Sequence, residues 1–211
     1  ESRMLALDGS RKAGISMASR IGQPKYLVAK SVLYEAGDWG KVWRVVSGGL
    51  RLDSVLHQQN RFASLALVGD LVGLESLVLG HYGYRAQALV PTVLLPMPPD
   101  LEKTSDTVFR HSMVQQLHET GRLLRLREGA ADDRIGRLLM MLEGRNDEAE
   151  AGDRPPICLP SLKDMSEIVD LTMESVSRVV TKFRQQQVLM ESEVGRRHFN
   201  FQRHRLGLEL D

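Results

Sequence analysis

Cysteine is almost missing from this chain. The single Cys158 permits no intrachain disulfide, and it rules out iron–sulfur clusters or closed zinc sites that draw several thiolates from one chain. No apolar run approaches the roughly 18 residues that a membrane span requires. The opening Glu1-Ser2-Arg3 lacks the charged-then-apolar pattern of a signal peptide. Charge of one sign is also lacking: 28 basic and 27 acidic side chains leave a net charge of +1, so only their distribution can speak for a polyanionic partner. The six histidines contain no His-x-His pair of the kind a β-roll metalloenzyme would need. A nucleophile elbow, a phosphate-cradling glycine loop and a Ser/His/Asp order are likewise absent. The expectation is a soluble, cytoplasmic protein that is not an enzyme, with no catalytic residue, no metal site and no membrane partner. At 211 residues, 42% hydrophobic and 26% charged, the chain can fill one or two cores.

What is present falls into two halves. Over 30–99, short apolar runs alternate with breakers: Val32-Leu33-Tyr34, Val42-Trp43-Arg44-Val45-Val46, Leu50-Arg51-Leu52, Phe62-Ala63-Ser64-Leu65 and Val93-Leu94-Leu95. Gly37, Gly48 and Gly69 stand in the connections, where tight turns need positive φ. This spacing predicts an antiparallel β-meander or roll. After Pro96-Met97-Pro98-Pro99 the period changes. Phe109, Met113, Leu117, Gly121 and Leu124 recur every three or four residues, along one narrow stripe of a long helix. A seam one residue wide suits pairing with a second copy, so a homodimer through Phe109, Met113, Leu117 and Leu124 is expected.

A second helix is predicted over 132–143, followed by a polar, acidic loop over 144–156. Ser161 then stands where a helix N-cap belongs, with Asp164 three residues on in the manner of a capping box. A short helix should run to Val169, with a turn at Asp170-Leu171 and a second N-cap at Thr172. A further helix over 173–187 would bury Val176, Val179, Val180 and Phe183. Leu189-Met190-Glu191 and His198-Phe199-Asn200-Phe201 read as a hairpin.

Helix, tight turn and helix is a geometry that places the second helix in the DNA major groove. Opposite the valines lie Glu174, Ser177 and Arg178. Arg can donate twice to guanine, Glu can accept from cytosine, and Ser can serve either base type, so the trio could discriminate base pairs. Between Thr172 and Arg205 there are seven basic residues (Arg178, Lys182, Arg184, Arg196, Arg197, Arg203, Arg205) and three acidic ones (Glu174, Glu191, Glu193). That local excess suits phosphate contact. Thr172, Ser175, Lys182, Arg196 and Arg197 complete the candidate DNA-binding set.

Four motifs in order carry a resemblance: Tyr34-Glu35-Ala36-Gly37-Asp38, Trp43-Arg44-Val45-Val46-Ser47-Gly48-Gly49-Leu50-Arg51-Leu52, Gly69-Asp70-Leu71-Val72-Gly73 and Leu171-Thr172-Met173-Glu174-Ser175-Val176-Ser177-Arg178. Over 28–201 the chain resembles the CRP/FNR superfamily of bacterial transcription regulators. The resemblance implies an α+β architecture: a β-roll of cyclic-nucleotide-binding type over 1–100, a dimerisation helix over 101–130 and a winged helix-turn-helix over 131–211. Double-stranded DNA, a second copy and RNA polymerase are the implied partners, the last through the loop 70–79. Ser177 before Arg178 is similar to the FNR branch, which implies a palindrome with half-sites like TTGAT. Asp170 departs from the usual turn glycine, and Ser166 from the usual Ala or Gly.

Within the superfamily, cyclic-nucleotide binders use Gly-Glu-Leu for the ribose and Arg followed by Ser or Thr for the phosphate. Here Gly73-Leu74-Glu75 shifts the carboxylate by one position, and Arg85 precedes Ala86, so the donor set for a phosphate is incomplete. Gly73, Glu75 and Arg85 stay the candidate effector residues, with Arg85 read first as an ion-pairing residue. An FNR-type cluster would need four thiolates. Haem through His57, His81, His111 or His118 is disfavoured, and Cys158 beside Ile157 and Leu159 reads as a small apolar side chain. No cofactor is expected. Two alternatives are a cyclic-nucleotide-dependent regulator using Arg85, and a nucleotide-binding interaction module without specific DNA binding.

Overall fold

The computed structural model describes residues 22–98, 105–144 and 154–207, without the side chains of 105–109 and 111. The first part is a β-roll of two four-stranded antiparallel sheets. One is ordered β1 (Lys25–Leu27), β8 (Thr92–Pro96), β3 (Trp43–Ser47), β6 (Leu71–Val72); the other β2 (Val32–Tyr34), β7 (Arg85–Ala88), β4 (Gly49–Leu56), β5 (Gln59–Leu67). Leu27, Val45, Val72 and Leu94 of the first sheet meet Tyr34, Leu50, Leu52, Ala66, Ala86 and Ala88 of the second in one core. Gly37, Gly48 and Gly69 adopt positive φ, as the breakers required. The hairpin joining β4 to β5 turns on His57 (φ 51°) and Gln58 (φ 62°), a two-residue loop with both centres left-handed and neither of them glycine.

The helix α1 (Ser76–Leu79) is a single turn; α2 (Ser105–Leu126) is the long helix and α3 (Ala131–Glu143) follows it. The expected loop 144–156 lies mostly outside the described residues. Then come β9 (Ile157–Cys158), α4 (Leu162–Val169), α5 (Met173–Gln185) and the hairpin of β10 (Leu189–Glu191) and β11 (His198–Phe201). The strand β9 pairs antiparallel with β11, so the wing is three-stranded where a two-stranded hairpin was expected. The helix α5 stops at Gln185, two residues early: Gln187 turns left-handed (φ 57°) and the Val188 N–H reaches back to the Phe183 carbonyl at 2.8 Å.

Phe183, Val176, Ile168, Met165, Ile135, Leu138, Leu139 and Leu126 share a second core. Each such side chain contributes roughly 1.5–3 kcal/mol by leaving water. This core also takes in Leu65, Leu67, Leu89 and Val90 of the roll, so the apolar contact runs on from the roll into the helices.

Candidate nucleic-acid interface

Both helices of the pair α4 and α5 begin on capped termini. Ser161 Oγ accepts from the Asp164 N–H at 3.1 Å, and Thr172 Oγ1 from the Ser175 N–H at 3.2 Å. The capping box at α4 is only half formed. The Asp164 carboxylate accepts from Ser161 Oγ, Lys30 Nζ and Arg51, and so turns toward the roll instead of back to the Ser161 backbone. Between the helices Asp170 is left-handed (φ 53°, ψ 58°), a conformation that Asp tolerates better than most residues.

Two arginines that the sequence did not single out hold this turn. Arg134 of α3 directs Nη1 at the carbonyls of Val169 (3.3 Å) and Asp170 (3.4 Å), and Arg127, just past α2, donates to the Ile168 carbonyl at 3.5 Å. A cation at a helix C-terminus satisfies carbonyls that the helix leaves open and opposes its dipole. Nothing in the local sequence distinguishes these arginines from surface ones.

Val176, Val179 and Phe183 are buried, and this burial turns Glu174, Ser177 and Arg178 outward to solvent on one exposed face. Glu174 is held below the usual carboxylate range by its own backbone N–H, then by the Thr172 hydroxyl and the charge of Arg178. It is therefore an ionised acceptor at neutral pH. Arg178 and Arg196 make no hydrogen bond or ion pair among the described residues and are exposed. The other basic candidates are engaged. Lys182 pairs with Asp132 of α3, Arg184 with Glu191 of β10, and Arg197 donates to the Leu159 carbonyl. Thr172 is exposed at the start of α5 and Ser175 is half-buried.

On α2, Met113, Val114, Leu117 and Leu124 are exposed, Leu117 to 73% and Leu124 to 68%. The side chain of Phe109 lies outside the described residues. The other flank of α2 faces the roll: Arg122 pairs with Asp70 at 2.8 Å, and Gln115 bonds the backbone of Leu71.

The candidate effector residues do not converge on an open cleft. A Cβ on Gly73 (φ 81°) would come within 2.6 Å of Cε1 of Tyr82. That ring is buried and stacks on Tyr34 with centroids 3.6 Å apart. Burial pushes both phenols up. Glu75 accepts from the Gly83 N–H at 3.2 Å. Arg85 is ion-paired as expected, with Glu35 at 3.1 Å and Asp53 at 3.6 Å, and its side chain is only 15% exposed. Cys158 is half-buried in β9, where burial raises its thiol pKa although Arg197 opposes the shift. Among the described residues no group of three His, Cys, Asp or Glu could hold a metal ion, and no helix is long and apolar enough to cross a membrane.

No protein-family model matches the chain. Individual proteins do. It is 31% identical over 172 residues to the transcriptional activator protein FnrA of Stutzerimonas stutzeri, covering 76% of this chain and 70% of that protein. The chain belongs to the CRP/FNR family of transcription regulators. The transcriptional activator Anr of Pseudomonas aeruginosa is 28% identical over 163 residues, covering 72% of this chain and 67% of the relative. Among solved structures, FixK2 of Bradyrhizobium japonicum superposes with a TM-score of 0.64 at 25% identity, over 87% of this chain and 94% of that one. A CRP-family regulator of Thermus thermophilus gives a TM-score of 0.65 at 20% identity over 86% and 94%, which speaks for the fold. This member of the CRP/FNR family is accordingly a DNA-binding transcription regulator rather than an enzyme, with a roll of cyclic-nucleotide-binding type and a helix-turn-helix.

Proposed function

We propose that this regulator binds a palindromic, TTGAT-like site as a homodimer and reads each half-site with Glu174, Ser177 and Arg178. The observation that carries the reading is the exposed Arg178, which makes no hydrogen bond or ion pair among the described residues, one turn beyond an ionised Glu174 on a helix fixed by the Thr172 cap and a buried valine face. Such a pair can donate to guanine and accept from cytosine on adjacent base pairs. Arg196 supplies a phosphate contact, whereas Lys182 and Arg197 would first have to leave their partners. Thr172 and Ser175 at the start of α5 lie where backbone phosphates meet a helix N-terminus.

The dimer forms along Met113, Val114, Leu117 and Leu124, with Phe109 continuing the stripe in sequence. Four large apolar side chains left in water on one helix favour a covering partner, and a second copy supplies the same stripe. The division at about residues 100 and 130 follows from this assignment. Contact with RNA polymerase falls on 70–79, where Leu77, Val78 and Leu79 are exposed.

Cyclic nucleotide is a poor second reading. Tyr82 fills the space against Gly73, and Arg85 already faces two carboxylates. The test is salt-dependent fluorescence anisotropy on a TTGAT-N4-ATCAA duplex. Specific binding is expected to exceed that of a scrambled duplex by about a thousandfold or more. Equal affinity for both duplexes rejects the reading.

A further inference from the structure

A cluster of charge is buried between the roll and α4. Arg51 of β4 has a side chain only 6% exposed. Its Nη1 donates to Asp164 Oδ1 at 2.8 Å and its Nη2 to Glu167 Oε2 at 2.7 Å. Nε and Nη2 both reach Asp53 Oδ1, at 2.9 and 2.6 Å. The second oxygen of Asp164 takes Lys30 and Ser161. Asp164 and Glu167 are three residues apart, hence neighbours on one face of α4, and the guanidinium spans both.

We infer that Arg51 is a positioning residue for DNA recognition: it fixes the angle of α4 on the roll, and thereby the separation at which a dimer presents its two recognition helices. The inference rests on the dimeric, palindrome-reading function proposed above. Leu65, Leu67, Leu89 and Val90 of the roll belong to the same apolar core as the helices, but apolar contact has no direction and would allow α4 to swivel. A buried ion pair adds little net stability, because desolvation offsets its attraction. What a planar fork on two carboxylates supplies is geometry.

The two ends of α4 are held from different places. Its first turn is held at Asp164 by Arg51 and Lys30 of the roll, and Arg51 reaches on to Glu167. The carbonyls at its C-terminus are held by Arg127 beside the long helix and by Arg134 of α3. Met165, Ile168 and Val169 of α4 share a core with Val176, Val179 and Phe183 of α5, so a tilt of one helix carries the other. Without Arg51 the roll keeps only Lys30 on Asp164, a single point that leaves α4 free to turn on its hinge-side anchor. Half-site spacing is then no longer enforced, although the base-reading side chains are untouched.

The experiment compares the full chain with Arg51→Met on duplexes that separate TTGAT and ATCAA by three, four or five base pairs. Scrambled half-sites serve as controls, and thermal melts confirm folding. Arg51→Met is expected to keep its discrimination against scrambled half-sites while its preference for the four-base-pair spacing falls about tenfold. A merely structural residue would lower affinity for all three spacings alike. Should Arg51→Met fail to fold, Glu167→Gln at the partner whose side chain is 34% exposed replaces it, with the same preference expected to fall about threefold. An unchanged spacing preference in the folded variant overturns the positioning role. A wild-type chain with no preference for TTGAT defeats the underlying function instead, so the two failures are told apart.

Discussion

Gln115 does for Leu71 what a neighbouring strand would do. Its Oε1 accepts from the Leu71 N–H at 2.9 Å and its Nε2 donates to the Leu71 carbonyl at 2.8 Å, so one amide satisfies both polar groups of a residue in the edge strand β6. The long helix is thereby fastened to the roll by main-chain complementarity as well as by the Arg122–Asp70 pair. Gln115→Ala leaves two backbone groups without their partner and is expected to cost about 1–3 kcal/mol, measured by urea unfolding. A loss below a few tenths would show that water replaces the amide freely.

Base readout and phosphate contact should separate cleanly between Arg178 and Arg196. Arg178→Ala is expected to relax discrimination at one base pair by about 1–3 kcal/mol, while Arg196→Ala weakens all sequences alike and reduces the salt slope by about one. Anisotropy titrations over a set of single-base operator variants and several salt concentrations check both. Equal effects of the two substitutions would contradict the division of roles.

Acid should loosen the contact between roll and α4. Burial raises the Asp164 pKa, but bonds from Lys30, Ser161 and Arg51 outweigh it and hold the carboxyl below its ordinary value. Asp53 and Glu167 are the other acids in the cluster. A carboxyl depressed in the folded state contributes its full stabilisation above the unfolded value of about 3.9 and loses it as pH falls through the lower folded value. At neutral pH, Asp164→Asn is expected to cost about 3 kcal/mol, since Arg51 retains two acids but loses one. Unfolding curves for the two proteins should converge as the pH is lowered below about 4. A gap that stays constant with pH would place the stabilisation elsewhere.

Leu117 lies 73% exposed midway along the proposed dimer seam. Placing a carboxylate there, Leu117→Glu, should yield a folded monomer by sedimentation velocity and weaken binding to the full palindrome by about a hundredfold, the gain that linking two half-site contacts provides. A dimer of unchanged affinity would move the seam to another face.

The helical half was the more legible part of the sequence. Period, caps and the valine face located α4 and α5 to within two residues, because side chains at three- and four-residue spacing and hydroxyls at helix starts act locally. The roll was read less completely. The strands β1, β6 and β7 are two to four residues long and lack the apolar runs that mark a strand, and they are set by pairing with distant partners. The turn at His57 and Gln58 carries no residue that announces positive φ. Arg51 was hidden most deeply. In Leu50-Arg51-Leu52 alternation puts the arginine on the solvent side, yet it is 5% exposed, because acids 113 and 116 positions away come to meet it. Pairing over such a distance leaves no trace in a local pattern.

The guanidinium at position 51 also limits how freely these halves can be exchanged. A chimera that grafts a foreign helix-turn-helix after Gly129 would enclose a cation whose two acids on α4 had left with the old module. A recipient bearing Asp and Glu at the positions of Asp164 and Glu167 would accept the transplant, and one bearing neutral residues there would leave the buried arginine with Asp53 as its one acid and weaken the joint.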